Sequence, residues 1–336
     1  MKNKFRLASA LSALLIVVLT LLNIGIASAA QPAAPPATKT PTPSGGPTAT
    51  PGGGAANIVV SGTQMGVSSC YLGANEGSSD FNINDFTDLG INTYRIYGGM
   101  SRWEPVDDDG VYGSPTIAQI KANVNVINWA AWDNIMTNPP SGTDYHWSDV
   151  NGWQGNARTM FGALQTAGVK PVVVLRNVDN GDKPVWAAAL NPPNSTDDWN
   201  EWWEHVFATV YWFNVRNNYQ VDDWAIHNEP NSGAQGWGGT ITDYYAFAQQ
   251  TNDAIQYVYA TYLPGRTPHV YAPGTTSGAS WPREVMANAG AYFNPVDIHN
   301  YDSDITTYDV KVHGWMNTNG FATAPLWITE SGSWHE

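Results

Sequence analysis

Short apolar runs alternate with longer amphipathic segments along the chain from about residue 57 onward. Continuous apolar runs of about four to eight residues predict buried parallel strands, whereas apolar residues that recur with helical spacing predict helices. Seven strands are predicted, at 64–69, 92–98, 169–177, 222–229, 269–274, 296–301 and 325–330. Helices are predicted between them at 82–89, 116–136, 156–167, 197–217, 242–262 and 282–290. This alternation predicts an α/β fold with a parallel sheet, either doubly wound or closed as a (β/α)8 barrel.

Two of the predicted helices carry an N-terminal capping signal. Thr196 or Asp197 is the predicted N-cap of the helix at 197–217, where apolar residues recur with clear helical spacing. The hydroxyl of Thr242 is the predicted N-cap of the helix that follows it.

The first 56 residues have a different composition from the rest. Residues 1–30 have the pattern of a secretory signal peptide, with Lys2, Lys4 and Arg6 before an apolar stretch and a small-residue cleavage site. A membrane anchor is the alternative, but the apolar stretch is short and interrupted by polar residues. Residues 31–56 are rich in Pro, Thr, Ala and Gly, which predicts a disordered linker. The folded domain is therefore expected at 57–336.

The overall charge restricts the partners of the chain. The 336 residues carry a net charge of −14, and loss of the basic leader would make it more negative. Such a charge disfavours nucleic acids and anionic membranes, whereas a neutral polymer is indifferent to it. The single cysteine, Cys70, excludes an intrachain disulfide. We expect a secreted monomer without cofactor or metal.

A closed barrel is favoured over a doubly wound sheet. No glycine-rich phosphate loop follows the first predicted strand. Polar residues stand at the ends of many different strands, which is typical of a barrel whose active site is built from all its strand ends. An eighth strand–helix unit would need roughly 30 more residues. We therefore expect the eighth unit to be missing, in a fragment or a truncated gene, unless the barrel closes in an unusual way.

Two strands end in a glutamate. These are the segments 223–231, DWAIHNEPN, and 325–334, PLWITESGSW. In each, an apolar run that includes a Trp ends in a Glu, and a Pro or a nearby Gly then interrupts the strand pattern. Buried parallel strands deliver such side chains to their C-terminal ends. Two carboxylates in this position are what cleavage of a glycosidic bond requires, because one protonates the leaving oxygen and the other attacks carbon or activates water.

As a pair, these two segments resemble the signatures of clan A retaining glycoside hydrolases, closest in style to families 5 and 39. In that clan an Asn-Glu pair ends the fourth strand and a second Glu ends the seventh. The resemblance implies that Glu229 is the acid/base and Glu330 the nucleophile. It also implies a β-linked glycan as substrate and retention of the anomeric configuration.

The same resemblance gives roles to four further polar residues. Asn228 matches the Asn that binds the sugar 2-hydroxyl, and Arg95 matches the strand-two Arg that supports the nucleophile. His299 and Tyr301 lie two apart on the sixth strand and so share a face, where the clan often places a Tyr or His beside the nucleophile. Strict alternation would aim Asn228 and Glu229 at opposite faces, so both reach the site only if the strand bends.

Aromatic residues are candidates for sugar platforms, because a flat ring covers the apolar face of a pyranose. Trp103, Trp237 and Trp334 follow strands two, four and seven and are predicted to bind substrate. His227 is predicted either to line the site or to pack. Four tryptophans on the helix at 197–217 are predicted to pack in the core: Trp199, Trp202, Trp203 and Trp212.

Two other functions remain open on the sequence. The chain is alternatively a non-catalytic carbohydrate-binding relic, since a missing eighth strand would leave the barrel open. A metal-dependent barrel hydrolase would use His227, His299 and His313, but the first predicted strand offers no His or Asp as a ligand.

Overall fold

The computed structural model describes residues 73–75, 82–103, 115–137, 157–176, 191–232, 237–276, 280–301 and 305–331. All of them belong to the compact unit that spans Gly66–Glu336. The predicted signal peptide, the predicted linker and the strand predicted at 64–69 lie outside the described residues. Within these ranges, no helix has the length and apolar character needed to cross a membrane.

Seven parallel strands form one sheet in the order of the chain. They are β1 (Gly73–Asn75), β2 (Thr93–Gly99), β3 (Lys170–Arg176), β4 (Asp223–Ile226), β5 (His269–Thr275), β6 (Val296–Asn300) and β7 (Leu326–Ser331). A sheet whose strands follow one another without reversal is a barrel rather than a doubly wound fold. The predicted α/β barrel is confirmed, with seven of its eight strands among the described residues.

The two ends of this sheet approach each other. The side-chain amide of Asn75 on β1 donates a hydrogen bond of 3.1 Å to the carbonyl of Thr329 on β7. The seven strands therefore form a nearly closed barrel, in which a side-chain contact joins the first and last strands. A missing eighth unit was expected to leave the barrel open, whereas the first and last strands of the described sheet lie close enough for this side-chain contact.

Helices connect the strands and cover the outer face of the sheet. They are α1 (Ile83–Leu89), α2 (Met100–Trp103), α3 (Ile117–Ala122), α4 (Trp129–Ile135), α5 (Ala157–Ala167), α6 (Thr196–Tyr211), α7 (Ile241–Tyr262), α8 (Trp281–Ala289) and α9 (Ile305–Thr318). A π turn at Trp212–Arg216 extends α6, and 3-10 turns lie at Val124–Val126 and Gly290–Tyr292.

The helix predicted at 116–136 is interrupted. The side chain of Asn123 accepts a hydrogen bond from the amide of Asn125, and Asn128 caps α4 by accepting from the amide of Ala131. Asparagine side chains that bond nearby backbone amides favour a new helix start over continuation of the old one. The segment therefore forms α3, a 3-10 turn and α4.

Helix α9 was not predicted. Its β-branched residues and Gly314 lower intrinsic helix propensity. The buried residues Tyr308, Val312 and Met316 nevertheless recur on one face and join the core. Tertiary packing of this face outweighs the weak local preference.

Both predicted N-caps are wrong, because the observed caps lie one or two residues earlier in the chain. Ser195 caps α6 in place of Thr196 or Asp197, since its hydroxyl accepts from the amide of Asp198 at 3.1 Å. Thr240 caps α7 in place of Thr242: its hydroxyl accepts from the amide of Asp243 at 3.2 Å. In each case the aspartate also accepts from the backbone amide of the cap, which completes a capping box.

Replacement of the α7 cap tests this correction. Thr240→Ala is expected to lower the free energy of unfolding by about 1 kcal/mol, because the first turn of α7 loses a capping acceptor. The matched variant Thr242→Ala, at an exposed position two residues further on, is expected to change it by less than about 0.5 kcal/mol. Urea unfolding of the two variants measures the difference, and a larger loss for Thr242→Ala would restore the original assignment.

Most of the core lies between the sheet and the helices. Trp202, Trp203 and Trp212 are buried there, and Trp199 packs against the same cluster, which confirms the predicted packing role of all four. A second, smaller cluster fills the inside of the barrel. We call it the inner apolar layer, and it consists of Val172, Val174, Ala225 and Tyr271, with Tyr97 and Trp327 packed against it.

Candidate functional site

The chain turns sharply where β4 ends. His227 and Glu229 have φ angles of 64° and 44°, in the left-handed region that non-glycine residues rarely adopt. The amide of His227 donates to the carbonyl of Leu175, and the amide of Glu229 donates to the carbonyl of Gly274, both at 2.9 Å. These bonds to β3 and β5 hold the strained turn. The bend that Asn228 and Glu229 need to reach the same site is therefore present.

A register shift brings Glu330 to the same place. Ile298 on β6 pairs with Ile328 on β7, but the next residue, His299, pairs with Glu330. The shift lets two consecutive residues serve the inner face. Thr329 donates its hydroxyl to Asp297 at 2.8 Å, and a carboxylate oxygen of Glu330 lies within 4.8 Å of one of Glu229.

The two glutamates form a close pair. The Nδ1 atom of His299 lies 2.9 Å from Oε1 of Glu229 and 3.6 Å from Oε2 of Glu330. One oxygen of Glu229 and one oxygen of Glu330 lie within 4.8 Å of each other. Retaining glycosidases separate their carboxyl groups by about 5–5.5 Å, whereas inverting ones leave about 6.5–9.5 Å for a water. The 4.8 Å limit on the oxygen separation of this pair is closer to the shorter of these two spacings.

Arg95 contacts Glu330 directly and also contacts Asn228 and His299, which are the neighbours of Glu229. It is only 4% exposed, and its Nη1 atom forms an ion pair with Oε1 of Glu330. Its Nη2 atom donates to Oδ1 of Asn228 at 2.8 Å and lies 3.5 Å from Nε2 of His299. The structure thus brings Arg95, Asn228, Glu229, His299 and Glu330 together, from β2, β4, β6 and β7.

Two tyrosines complete the surroundings of Glu330. The hydroxyl of Tyr301 donates to Oε2 of Glu330, which places this predicted residue at the site. The hydroxyl of Tyr97 lies 3.1 Å from Oε1. Tyr97 was missed by the sequence analysis, although it stands two residues after Arg95 on the same strand and therefore shares its inner face.

The electrostatics of the site favour an ionised Glu330. Burial alone would raise the pKa of this carboxyl. The charge of Arg95 and the electrostatic influence of His299, together with the hydrogen bonds from Tyr301 and Tyr97, outweigh burial and hold the pKa of Glu330 below its usual value. Burial and the bond to Glu330 raise the pKa of Tyr301, so its hydroxyl keeps its proton and remains a donor.

Two predicted sugar platforms lie elsewhere. Trp103 is 2% exposed and packs against Phe161 and Phe213 in the outer core. Trp237 is 3% exposed, and its indole nitrogen donates to the carbonyl of Thr240. Neither ring offers an open face to a sugar, because the packing of the helices covers it. Trp334 lies outside the described residues.

Two other predicted histidines, His227 and His313, lie apart from this cluster of side chains. The ring of His227 packs edge-on against Trp237 and Phe247, which supports the packing alternative for this residue. His313 is 53% exposed on α9 and pairs with Asp309.

Three groups of the site have the proximity of a metal-binding cluster. Glu229, His299 and Glu330 each offer a ligand atom within 4.8 Å of the others. The guanidinium of Arg95 already contacts Glu330 and would repel a cation placed there. This donor set fits acid–base chemistry better than metal binding.

No protein-family model and no curated protein matches this sequence. Among solved structures, the chain is similar to a GH39 beta-xylosidase from Caulobacter crescentus, with 17% identity and a TM-score of 0.48 over 74% of this chain and 48% of that one. It is similar to a glucosidase from Croceicoccus marinus, with 12% identity and a TM-score of 0.49 over 74% of this chain and 47% of that one.

A third similar structure is the endoglucanase Cel5A from Pseudomonas stutzeri, with 13% identity and a TM-score of 0.41 over 74% of this chain and 66% of that one. The chain spans about half the length of the xylosidase and the glucosidase. At these values the likeness carries no argument about chemistry, which rests on the geometry of the site.

Proposed function

We propose that this protein is a secreted retaining glycoside hydrolase that cleaves O-glycosidic bonds of a β-linked polysaccharide or oligosaccharide by double displacement. The observation that carries the proposal is the close pair of Glu229 and Glu330, whose oxygens lie within 4.8 Å. The two carboxylates have different surroundings, which suits different roles. Glu330 is held ionised by Arg95 and two tyrosines, whereas Glu229 contacts His299.

In the first step, a carboxylate oxygen of Glu330 forms a bond to the anomeric carbon while the glycosidic C–O bond breaks. Glu229 gives its proton to the leaving oxygen. In the second step, Glu229 takes a proton from water, the water oxygen attacks the anomeric carbon, and the ester bond to Glu330 breaks. Two displacements on one carbon restore its original configuration.

Asn228 would bind the sugar beside this reaction. Because its Oδ1 accepts from Arg95, the amide has a fixed orientation and presents its NH₂ group as the donor. A donor at this position suits the sugar 2-hydroxyl, and such a contact strengthens in the transition state. His299 would hold Glu229 in place, and Tyr301 would hold Glu330.

The proposed substrate is a neutral glycan, because the acidic chain disfavours polyanions. Secretion rests on the leader pattern of residues 1–30, and the proposed enzyme acts as a monomer without metal or cofactor. A panel of chromogenic β-glycosides with soluble β-glucan, xylan and mannan would identify the sugar. Binding of a glycan without any turnover would favour the non-catalytic carbohydrate-binding alternative.

The stereochemistry of the first product tests the mechanism. We expect the product to keep the anomeric configuration of the substrate, because the carboxyl spacing leaves no room for a water behind the anomeric carbon. Proton NMR soon after mixing distinguishes the two anomers before mutarotation. An inverted first product would contradict the double displacement.

A further inference from the structure

Tyr97 lies on the inner face of β2, beside Glu330, and the reaction described above assigns it no step. Among the described residues, its hydroxyl lies within hydrogen-bonding distance of two side chains. It lies 3.3 Å from Nη1 of Arg95 and 3.1 Å from Oε1 of Glu330. Both neighbours belong to the proposed catalytic site, so the orientation of this hydroxyl affects the nucleophile directly.

The chemistry of the neighbours fixes the direction of both bonds. A guanidinium has only N–H donors, so the oxygen of Tyr97 must accept from Arg95. An ionised carboxylate has only acceptors, so the single O–H proton of Tyr97 must point to Oε1 of Glu330. A chain of bonds therefore runs from Arg95 through Tyr97 to Glu330, in addition to the direct ion pair between Arg95 and Glu330.

The ring of Tyr97 is held in place by two cations. The guanidinium carbons of Arg95 and of Arg176 each lie 5.2 Å from the centre of the ring. The ring also packs against the inner apolar layer. Burial raises the pKa of Tyr97 despite the two arginines, so the hydroxyl keeps its proton at neutral pH. Tyr97 is thus an immobilised donor.

We propose that Tyr97 is a positioning residue that fixes Oε1 of Glu330, so that Tyr97 and Tyr301 together hold the two carboxylate oxygens in the orientation for attack. This inference rests on the proposed function of Glu330 as the nucleophile. Tyr97 donates to Oε1 and Tyr301 donates to Oε2. Rotation of the carboxylate would therefore break one hydrogen bond at each of its two oxygens. A fixed orientation lowers the entropy cost of reaching the transition state.

Removal of the hydroxyl alone tests the role. In the full chain, Tyr97→Phe is expected to move the acidic limb of the pH profile of kcat/KM upward by about one pH unit. The sign follows from the lost donor, because a less stabilised carboxylate has a higher pKa and is protonated at a higher pH. At the pH optimum, kcat is expected to fall roughly ten-fold with little change in KM.

Tyr271→Phe is the matched control. Tyr271 is also buried inside the barrel, but its hydroxyl bonds to Asp223 rather than to Glu330. The acidic limb of the kcat/KM profile of Tyr271→Phe is expected to coincide with that of the wild type. An acidic limb of Tyr97→Phe that also coincides with the wild type would overturn the proposal.

A second variant covers the case in which Tyr97→Phe folds poorly. Site-specific 3-fluorotyrosine at position 97 keeps the ring and makes the hydroxyl a stronger donor, so the acidic limb is expected to move downward. A shift upward, or none, would overturn the positioning role.

Direct titration separates this inference from the proposed function. A wild type that hydrolyses no β-glycoside would overturn the proposed function. The pKa of Glu330 can still be followed by carboxyl ¹³C NMR of the full chain. Tyr97→Phe is expected to raise that pKa whether or not the protein turns over substrate, and an unchanged value would overturn the contact itself.

Discussion

Glu330→Ala is expected to lose at least about 10⁴-fold in turnover, because it removes the group that forms the covalent intermediate. The side chain lies in the centre of a dense set of donors, with Arg95, Tyr97 and Tyr301 all bonded to it. Its loss also leaves a small space beside the position of the anomeric carbon. Added azide is expected to enter that space, attack the sugar and restore activity.

The configuration of the azide product distinguishes rescue from contamination. A single displacement by azide gives a glycosyl azide of inverted configuration, which NMR identifies, whereas residual wild-type enzyme gives a retained hydrolysis product. Glu284→Ala, on the surface of α8, is the matched control and is expected to keep full activity. Wild-type-like turnover of purified Glu330→Ala would end its assignment as the nucleophile.

Glu229→Gln is expected to slow hydrolysis of a natural glycan by about 10²–10⁴-fold, because the leaving oxygen no longer receives a proton. Glutamine preserves the shape of the side chain at a position with a strained backbone. A substrate with a good leaving group, such as a 2,4-dinitrophenyl glycoside, needs no proton for bond cleavage. Its first step is expected to remain fast, so a burst of dinitrophenol should precede a slow steady state.

The dependence on the leaving group is the informative result for Glu229. Stopped-flow absorbance of dinitrophenol release measures the burst, and the same assay on the wild type provides the reference. Equal losses for the natural glycan and for the activated glycoside would contradict the assignment of Glu229 as the acid/base.

The sequence predicts the strands best where burial on both faces leaves a continuous apolar run. The prediction of 169–177 for β3 is an example, since every residue from Pro171 to Arg176 is buried in the structure. β1 could not be found this way, because its three residues, Gly73–Asn75, carry no apolar pattern and owe their strand form to pairing with β2. Helix α9 was not predicted for the opposite reason. Its intrinsic helix propensity is weak, but one face of it packs against the core.

The site was predictable to the extent that strand ends determine it. Glu229 and Glu330 follow apolar runs, so their placement at the C-terminal ends of β4 and β7 could be predicted. The left-handed φ of Glu229 could not be predicted, because hydrogen bonds to the neighbouring strands β3 and β5 hold the turn in this conformation. Trp103 and Trp237 are buried and do not form the predicted platforms. A tryptophan after a strand can turn to the outer core or to the mouth of the barrel, and the packing of the surrounding helices determines which.

Along β4, Ala225 of the inner apolar layer lies between Asp223, at the start of the strand, and Glu229, beyond its end. Asp223 lies 2.9 Å from His269 and accepts a hydrogen bond from Tyr271, whereas the groups proposed for chemistry lie toward the other end of the strand. Substitutions around Asp223 can therefore change the stability of the barrel without replacing a group proposed for chemistry. Selection for a more robust scaffold and selection for a new sugar specificity would act on separate sets of positions.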